Sequence, residues 1–260
     1  MNSNWSLPEH DLWSTPFAKT LLSQLELFQG ASILDIAGGG GIPAFYLAEQ
    51  VGSHGQVLSI DINPRQILQA RTTQGMSLPW LKFEVGDMKK LPKTLPQFDI
   101  ITGNLSFMFF RPNRPAVLRQ VISRLKPGGQ IVLTFPSLGT FESLFNKVNK
   151  EMTYSGLKKE RAALVEYITE RPSANQALKW LKNLGMEVPK TTEWPLEVKI
   201  EPGKKFLEHP LLRRGFLEDI YECFDDQRVA EKFMKVISES LSDFQPLIAL
   251  RCVMSGRAPK

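Results

Sequence analysis

Cysteine is scarce in this sequence, where only Cys223 and Cys252 occur among 260 residues. Two cysteines are too few for a disulfide framework and are not in a metal-ligand spacing, so we expect two inert thiols and no bound metal. Long apolar runs are also missing, since none approaches the roughly 20 residues that a membrane-spanning helix needs. The N-terminal residues lack the basic stretch and apolar core of a secretory signal. These absences predict a soluble, cytoplasmic protein.

A strong charge bias is absent as well. The 32 lysines and arginines exceed the 27 aspartates and glutamates by five, a mild excess that favours an acidic partner without requiring one. No dense basic stripe and no appended RNA-binding module is found, which argues against a nucleic-acid partner. A solvated surface is the favoured interpretation of each small basic cluster: Lys89, Lys90 and Lys93; Arg111 and Arg114; Lys158, Lys159 and Arg161; Lys204 and Lys205; Arg213 and Arg214.

Short β-branched runs alternate with helix-length segments between residues 32 and 135. This alternation is typical of a parallel sheet with helices on both faces. Helix start signals at Pro43, Asn63-Pro64 and Pro115 support it, and the last of these helices is expected to end at Lys126. The pattern predicts a Rossmann-like, doubly wound α/β core, mostly parallel, with strands at residues 32 to 36, 56 to 60, 81 to 85, 98 to 104 and 130 to 135.

The segments outside this core are mainly helical in pattern. Residues 11 to 28 are expected to form an amphipathic helix ahead of the first strand, because their leucines recur at helical spacing. Later segments predict three helices and then two strands, of which the last closes the sheet in antiparallel direction: helices at 137 to 150, 155 to 170 and 173 to 184, and strands at 187 to 200 and 246 to 258.

Helical periodicity between the last two strands marks an insertion, because a hairpin would need only a few residues there. We expect this insertion to act as a lid or substrate subdomain. The predicted organisation has four parts: an N-terminal helical cap (1 to 29), the core (30 to 202), the helical insertion (203 to 243) and the closing strand of the core (244 to 260).

The stretch ILDIAGGGGIPAF, residues 33 to 45, places an aspartate at the end of an apolar strand and then four consecutive glycines. A strand that turns through such residues into a helix presents bare backbone and a helix N-terminus to a ligand above the sheet edge. The turn favours a nucleotide-like ligand. Dinucleotides, phosphates and plain tight packing use similar turns, so the turn does not identify the ligand.

Two acids follow at the ends of the next two strands. Asp61 lies 20 residues past Gly41, where an acidic side chain reaches the two hydroxyls of a ribose. The alternative role for Asp61, a helix N-cap, is already filled by Asn63 with Pro64. Asp87 can accept from an exocyclic amine while Met88 lies against a purine, although a simple Gly-Asp turn is the alternative there.

Five segments in this order, LDIAGGGG, LSIDINP, VGDMKKLP, FDIITGN and LKPGGQIVL, resemble the signature segments of the class I S-adenosylmethionine-dependent methyltransferases. The resemblance covers about residues 30 to 136. The usual opening of that family is Asp-x-Gly-x-Gly-x-Gly. Here Ala37 replaces the first glycine, as in some ubiquinone/menaquinone-type methyltransferases, while Gly39 and Gly41 keep the other two.

The resemblance implies S-adenosyl-L-methionine as cofactor and S-adenosyl-L-homocysteine as product. For the methionine part of the cofactor, the implied binding residues are Asp35, Ala37, Gly38, Gly39, Gly41 and the Asn104 backbone. For the ribose the implied residue is Asp61, and for the adenine they are Ile62, Asp87 and Met88. An NAD-type dehydrogenase is the competing use of such a core. It is disfavoured because Asp35 would meet a pyrophosphate with like charge, whereas a carboxylate suits the cationic amino-acid end of the sulfonium cofactor.

Methyl transfer from a sulfonium is an in-line displacement, which needs alignment and the exclusion of water rather than a dedicated nucleophile. The sequence accordingly shows no catalytic triad. A general base is needed only for an acceptor of high pKa. His10 and His209 are the candidates, with a surface or structural role as the favoured alternative for each, and His54 is expected at the surface in a turn away from the ligand edge.

Apolar residues that follow the strand ends predict a wall for a small or lipid-like acceptor. Phe107 and Phe110 are its predicted members, and Trp13 is expected to contribute from the N-terminal helix, with core packing as the alternative for all three. The segment after the fourth strand lacks the two prolines of the Asn-Pro-Pro-Tyr segment in methyltransferases that act on nucleobase or glutamine amides. That departure counts against an exocyclic amine acceptor.

The function predicted first is therefore methylation of a small or lipid-like molecule at oxygen or carbon. The alternative is methylation of a carboxylate on an acidic acyl carrier protein, because ERPSAN (residues 170 to 175) and the late insertion resemble malonyl-carrier-protein methyltransferases. Lys204, Lys205, Arg213 and Arg214 are the candidate contacts with such a carrier. An RNA-modifying methyltransferase and a non-catalytic binding protein are weaker alternatives.

Overall fold

The computed structural model of this chain describes residues 5–9, 11–201, 203–209, 212–240 and 246–260. In these residues seven strands form one mixed sheet: β1 (Ser32–Ile36), β2 (Gln56–Asp61), β3 (Leu81–Val85), β4 (Phe98–Gly103), β5 (Leu125–Pro136), β6 (Glu187–Val198) and β7 (Leu247–Arg257). The strand order is β3-β2-β1-β4-β5-β7-β6. β5 and β7 pair in antiparallel direction and the first five strands pair in parallel, so the predicted fold class is confirmed.

Helices connect and flank these strands. The described helices are α1 (Ser14–Leu22), α2 (Ala44–Val51), α3 (Pro64–Gln74), α4 (Arg114–Ile122), α5 (Glu142–Tyr154), α6 (Lys158–Thr169), α7 (Ala174–Asn183), α8 (Lys204–Glu208), α9 (Leu217–Tyr221) and α10 (Gln227–Glu239). One apolar cluster packs residues of α2 and α3 against the sheet, and a second packs residues of α4 and α7.

The central strand β1 positions the candidate site. It is buried along its whole length and pairs in parallel with β2 on one side and with β4 on the other. The chain therefore changes direction across the sheet at β1, and the crevice at the carboxyl ends of β1 and β4 is where open α/β sheets bind ligands. The register places Asp35 level with Ser59 of β2 and with Thr102 of β4.

The helices α1 and α4 end earlier in the structure than predicted. α4 ends at Ile122 rather than at Lys126, because Leu125 already pairs with Phe98 and begins β5. α1 covers only Ser14–Leu22 of the predicted 11 to 28. The chain after α1 leaves the helix because the side-chain amide of Gln130 bonds the backbone of Gln24 and Glu26, at 2.9 and 3.0 Å.

The chain divides into two compact units. The first comprises Met1–Pro136, Ala174–Glu193 and Arg251–Lys260, and the second comprises Ser137–Ser173 and Trp194–Leu250. This division differs from the predicted boundaries, because α5 and α6 group with the insertion rather than with the core. The insertion itself, in its described part, is divided among α8, a π-helical segment (Leu212–Phe216), α9 and α10.

Arg171 explains why α5 and α6 belong to the second unit. Its guanidinium carbon lies over the rings of Phe145, Tyr167 and Phe216, at 4.3, 4.6 and 5.1 Å from the centroids. Its Nη1 donates to the carbonyl of Thr140 at 2.9 Å. Because these partners come from both sequence segments of the unit, the cation–π contacts of one arginine join them.

Candidate functional site

Asp35 is fully buried under the glycine turn at the end of β1. Its two carboxylate oxygens accept hydrogen bonds from Ser59 Oγ and Thr102 Oγ1, both at 2.9 Å. Burial raises the pKa of Asp35 to about 7, the two hydroxyl hydrogen bonds oppose this rise, and the negative charge of Asp61 adds to it. Asp35 therefore lies on the buried side of the turn, and its carboxyl group titrates near neutral pH.

Gly38 and Gly41 face the protein side of the turn. A Cβ on Gly38 would lie 2.0 Å from Ser59 Oγ and 2.5 Å from a carboxylate oxygen of Asp35. A Cβ on Gly41 would lie 2.5 Å from the ring of Phe45, and the φ of Gly41 is +99°. These two glycines are required by packing within the protein, which is the tight-packing alternative that the sequence left open.

Gly39 and Gly40 face the open side of the turn. Within the described part of the chain, a Cβ on either would meet only the side-chain oxygen of Gln66, at 4.0 and 3.4 Å. The backbone N–H of Gly39 donates to Asp61 Oδ2 at 2.9 Å, while Asp61 Oδ1 accepts from Asn63 N at 2.8 Å. The open side of the turn is thus bare backbone bordered by an oriented carboxylate that keeps lone pairs for a ligand hydroxyl.

The predicted adenine residues lie at the ends of β2 and β3. Ile62 follows Asp61, and its apolar side chain is 69% exposed rather than packed in the core. Met88 is buried in the core at 8% exposure. Asp87 caps the 3₁₀ turn Met88–Lys90 through its Oδ1, which accepts from Lys89 N at 2.8 Å. Asp87 therefore has the turn-forming role that the sequence left as an alternative, and this role is compatible with binding a ligand.

Asn104 connects the end of β4 to the N-terminal helix. Its Nδ2 donates to the carbonyl of Ser14 at 3.0 Å and its Oδ1 accepts from Thr134 Oγ1 at 2.9 Å. Leu105, the next residue, has a φ of +54°. Both polar atoms of the Asn104 side chain have a partner within the first unit, which favours its backbone for a ligand, as the resemblance implies. Trp13 is half-buried against Phe17.

Phe107 and Phe110 are core residues, which corrects their prediction as members of an acceptor wall. Both are 0% exposed, and Phe107 packs its ring on Phe110, Phe135 and Trp180 at centroid distances of 5.0, 5.0 and 5.7 Å. Their aromatic packing energy fixes the 3₁₀ turn after β4 instead. In that turn Phe109 is the exposed ring, at 55%.

The histidine candidates give no catalytic assignment. His10 lies outside the described residues. His209 belongs to the second unit, where burial lowers its pKa and its Nδ1 is buried with no hydrogen-bond partner among the described residues. His54 lies in an exposed turn. The thiols of Cys223 and Cys252 have pKa values raised by burial, to about 11 for Cys223, so they are protonated at neutral pH as expected of inert thiols.

The sequence did not predict Ser59 and Thr102 as partners of Asp35, and it did not predict the left-handed backbone conformation of Ala37. Each hydroxyl stands at the position of its strand that is level with Asp35, so a correct register of β1, β2 and β4 would have found them. Ala37 has a φ of +52°, in the left-handed region that favours glycine. That conformation explains why glycine is the usual residue at this position of the resembled motif, and alanine occupies it here at an energetic cost.

Replacing Asp35 with asparagine is expected to make unfolding less dependent on pH. The folded pKa of about 7 lies above the ordinary aspartate value, so the folded state binds the extra proton between about pH 4 and 7, and stability falls as pH rises through that window. The loss is up to about 4 kcal/mol, at 1.36 kcal/mol per pKa unit. Urea unfolding at pH 5 and pH 8 measures the free energy of unfolding of the wild type and of Asp35→Asn. The stability of the variant relative to the wild type should increase from pH 5 to pH 8. A constant difference would contradict this titration.

The edge of the sheet suits a sulfonium-bearing nucleoside better than a dinucleotide. The open side of Gly39 and Gly40 has room for a ligand. Asp61 presents an oriented carboxylate that is able to accept from hydroxyl groups, and Ile62 offers an exposed apolar surface beside it. The carboxylate of Asp61 repels a pyrophosphate and attracts a cation. The residues present therefore fit S-adenosylmethionine, by charge, by hydrogen-bonding capacity and by the open side of the turn.

Comparisons with known proteins agree with this fold. A family model described as a methyltransferase domain matches residues 27–192. The demethylmenaquinone methyltransferase of Lactococcus lactis subsp. lactis (strain IL1403) is 32% identical over 150 residues, which are 56% of this chain and 57% of that protein. The nocamycin O-methyltransferase of Saccharothrix syringae is 33% identical over 122 residues, which are 46% and 43% of the two chains. This chain thus spans about half the length of these relatives.

A solved structure shows the same fold at low identity. Phosphoethanolamine N-methyltransferase 2 of Haemonchus contortus, in complex with S-adenosyl-L-methionine, aligns with a TM-score of 0.58 and 16% identity over 94% of this chain and 52% of that chain. At such identity the likeness supports the fold alone. The family is shown by the sequence match, which covers more than half of the chain. The chain belongs to the methyltransferase domain family, and its fold is that of the class I S-adenosylmethionine-dependent methyltransferases.

Proposed function

We propose that this protein transfers a methyl group from S-adenosylmethionine to a small or lipid-like acceptor at oxygen or carbon. The observation that carries the proposal is the turn after β1, in which two glycines pack inward and two leave bare backbone on the open side beside Asp61. When bound, S-adenosylmethionine supplies an electrophilic methyl group on a sulfonium.

The residues of the chain then have three tasks. Asp61, oriented by Gly39 and Asn63, accepts from the ribose hydroxyls. Ile62 and Met88 cover the adenine, with Asp87 as acceptor for its amine. The buried Asp35 packs against Gly38 and joins β1 to β2 and β4 through Ser59 and Thr102. Because these groups are held by backbone and neighbouring strands before a ligand arrives, little order has to be imposed on binding.

The names of the relatives support the choice of acceptor class. One relative is named for demethylmenaquinone, a lipid-like quinone, and another as an O-methyltransferase. Such acceptors ionise at a hydroxyl or enol, so a base is needed only if that group has a high pKa. His209 stays a predicted base, and its lowered pKa keeps it in the neutral form that a base requires.

The carrier-protein alternative gains no support from its predicted contacts. Lys204 pairs with Glu208 and Lys205 pairs with Glu201, and the two residues of each pair are four positions apart in the chain. Arg213 is exposed, and the side chain of Arg214 lies outside the described residues. Lysines that already neutralise neighbouring glutamates present little net positive potential to an acidic carrier.

Calorimetry with S-adenosylhomocysteine tests the cofactor proposal, and labelled methyl transfer tests the acceptor. We expect the full chain to bind S-adenosylhomocysteine with measurable heat and to label a reduced naphthoquinone. A malonyl-loaded acyl carrier protein and total tRNA serve as competing acceptors in the same assay. Absence of binding heat would refute the cofactor proposal. Label found on the carrier or on tRNA alone would replace the proposed acceptor with that alternative.

A further inference from the structure

The positive charge of this protein is concentrated in one part of the sequence. Between Asp87 and Glu142 the chain contains eight lysines and arginines and a single acid, Asp99. This segment therefore carries a net charge of +7, whereas the whole chain carries +5. All of the basic excess lies in a stretch that follows the candidate site, and the remainder of the chain is slightly acidic.

The fold brings two parts of this segment together in the first unit, the loop after β3 and the helix α4. Lys89 Nζ donates to the carbonyl of Arg111 at 2.8 Å, which joins the 3₁₀ turn after β3 to the chain entering α4. At the other end of α4, Arg124 Nη1 donates to the carbonyls of Lys93 and Leu95 at 3.1 and 3.0 Å. The loop after β3 and the helix α4 are therefore bound together at both ends.

Four exposed cations lie on this paired loop and helix: Lys89, Lys90, Lys93 and Arg119. We call them the basic face. None of the four forms a salt bridge within the described residues, in contrast to Lys126, which pairs with Asp99 at 2.9 Å. Four unneutralised charges within one packed pair of segments produce a positive potential that reaches about one Debye length, roughly 10 Å, from the surface.

An exposed aromatic ring accompanies the basic face. Phe109 is 55% exposed, although its neighbours Phe107 and Phe110 are fully buried in the same 3₁₀ turn. The turn leads directly into Arg111, whose carbonyl binds Lys89. Exposed cations with an adjacent exposed aromatic ring are the combination that binds at the headgroup level of anionic membranes.

We propose that the basic face docks onto the surface of an anionic lipid membrane, with Phe109 entering the headgroup region. The proposal rests in part on the proposed function, because a lipid-like acceptor resides in such a membrane. An RNA-binding surface would need several aromatic platforms and polar groups that read base edges, and this face offers one ring and four cations. None of the described helices could span a lipid bilayer.

Sedimentation of the full chain with lipid vesicles tests the proposal. Vesicles of phosphatidylcholine alone are compared with vesicles that also contain phosphatidylglycerol, at low and high salt. We expect binding only to the anionic vesicles, with weakening as salt rises. Equal binding to both vesicles, or no binding to either, would overturn the proposal. Heat of binding with S-adenosylhomocysteine is measured on the same samples, so that failure of membrane binding and failure of the cofactor proposal are distinguished.

A matched pair of variants locates the binding surface. Lys93→Glu with Arg119→Glu reverses two charges on the basic face, and Lys179→Glu with Lys182→Glu reverses two exposed charges on α7, so both variants have the same net charge. Each basic residue near an anionic surface is worth about a fivefold change in partitioning, so the first variant should bind anionic vesicles about 30-fold more weakly. The α7 variant should stay within about threefold of wild type.

Two further variants keep the test decisive. Lys93→Gln with Arg119→Gln removes the two charges without adding acids. This variant replaces the charge-reversed protein in the vesicle experiment if the charge-reversed protein does not fold. Folding is judged by the heat of S-adenosylhomocysteine binding. Phe109→Ser is expected to abolish the part of vesicle binding that survives high salt. Equal losses of vesicle binding in the basic-face and α7 variants would overturn the lipid assignment. Binding of the wild-type protein to tRNA but not to vesicles would overturn it as well.

Discussion

Replacing Asp61 with alanine is expected to weaken the binding of S-adenosylhomocysteine at least about 100-fold in calorimetry. A hydrogen bond to a charged group is worth roughly 1.5–3 kcal/mol, and the carboxylate of Asp61 is placed to accept from two ribose hydroxyls. Loss of two such bonds exceeds the roughly 2.8 kcal/mol that corresponds to a 100-fold change. The carboxylate also orients the N–H of Gly39, so the variant loosens the turn as well.

The controls for Asp61 separate charge from position. Glu84→Ala removes an exposed acid from β3, the neighbouring strand at the same sheet edge, and should leave the affinity within about threefold of wild type. Asp61→Asn keeps the size of the side chain and one carbonyl oxygen, so about a tenfold loss is expected. If Glu84→Ala and Asp61→Ala weakened binding equally, long-range charge rather than contact with the ribose would explain the result.

The stability of the Asp61→Ala protein is expected to change little. Asp61 is partly exposed, so water can replace its carboxylate at the N–H of Gly39, and a loss of about 1 kcal/mol is expected. Urea unfolding without ligand measures this loss. A large loss of stability would mean that Asp61 mainly supports the fold, and the drop in affinity would then say nothing about the ribose.

Local sequence patterns were sufficient for the strands and for the acids at their ends. β1 is predicted correctly because the apolar run at residues 32 to 36, with Asp35 next to its end, is followed by Ala37 and a glycine run. The N-cap at Asn63 is also correct, since its side chain accepts from Arg65 N at 3.0 Å. In both places the structure is determined by neighbouring residues in the chain, which is the information that a sequence pattern contains.

Long-range pairing determines the parts that the sequence did not predict. Asp35 meets Ser59 and Thr102 only because β2 and β4 have a particular register with β1, and the partners are 24 and 67 residues away. The burial of Phe107 depends on Trp180, and the grouping of α5 with the insertion depends on Arg171. Ser59 beside Gly38 and Phe83 beside Gly41 are distant in sequence in the same way, and they help to separate the packing glycines from the open ones.

Substituting alanine at Gly38 and at Gly40 is expected to separate folding from ligand binding. At Gly38 the new Cβ would lie 2.0 Å from Ser59 Oγ and 2.5 Å from Asp35, and this buried hydrogen-bonded pair cannot move away without breaking its bond. Overpacking and a lost bond to a carboxyl group together cost on the order of 3–5 kcal/mol. Thermal unfolding should therefore occur about 10 °C or more below the wild-type temperature.

At Gly40 the same substitution should leave the free protein almost unchanged. The nearest atom to the new Cβ is the flexible side-chain oxygen of Gln66 at 3.4 Å, and the φ of Gly40 is not in the left-handed region. Replacing this glycine stiffens the unfolded chain, so stability should stay within about 1 kcal/mol of wild type. If a ligand lies over the open side of the turn, however, the added methyl group occupies its place and should weaken S-adenosylhomocysteine binding at least about 30-fold.

The two outcomes together decide what the four glycines are for. Gly38→Ala tests the inward packing, and its loss of stability requires no ligand. Gly40→Ala tests the open side, where a loss of affinity with unchanged stability can come only from a ligand that contacts the backbone. Wild-type affinity in Gly40→Ala would show that the ligand does not pass over residues 39 and 40, because bare backbone there would then have no function in binding. In that case the cofactor proposal would depend on Asp61 alone.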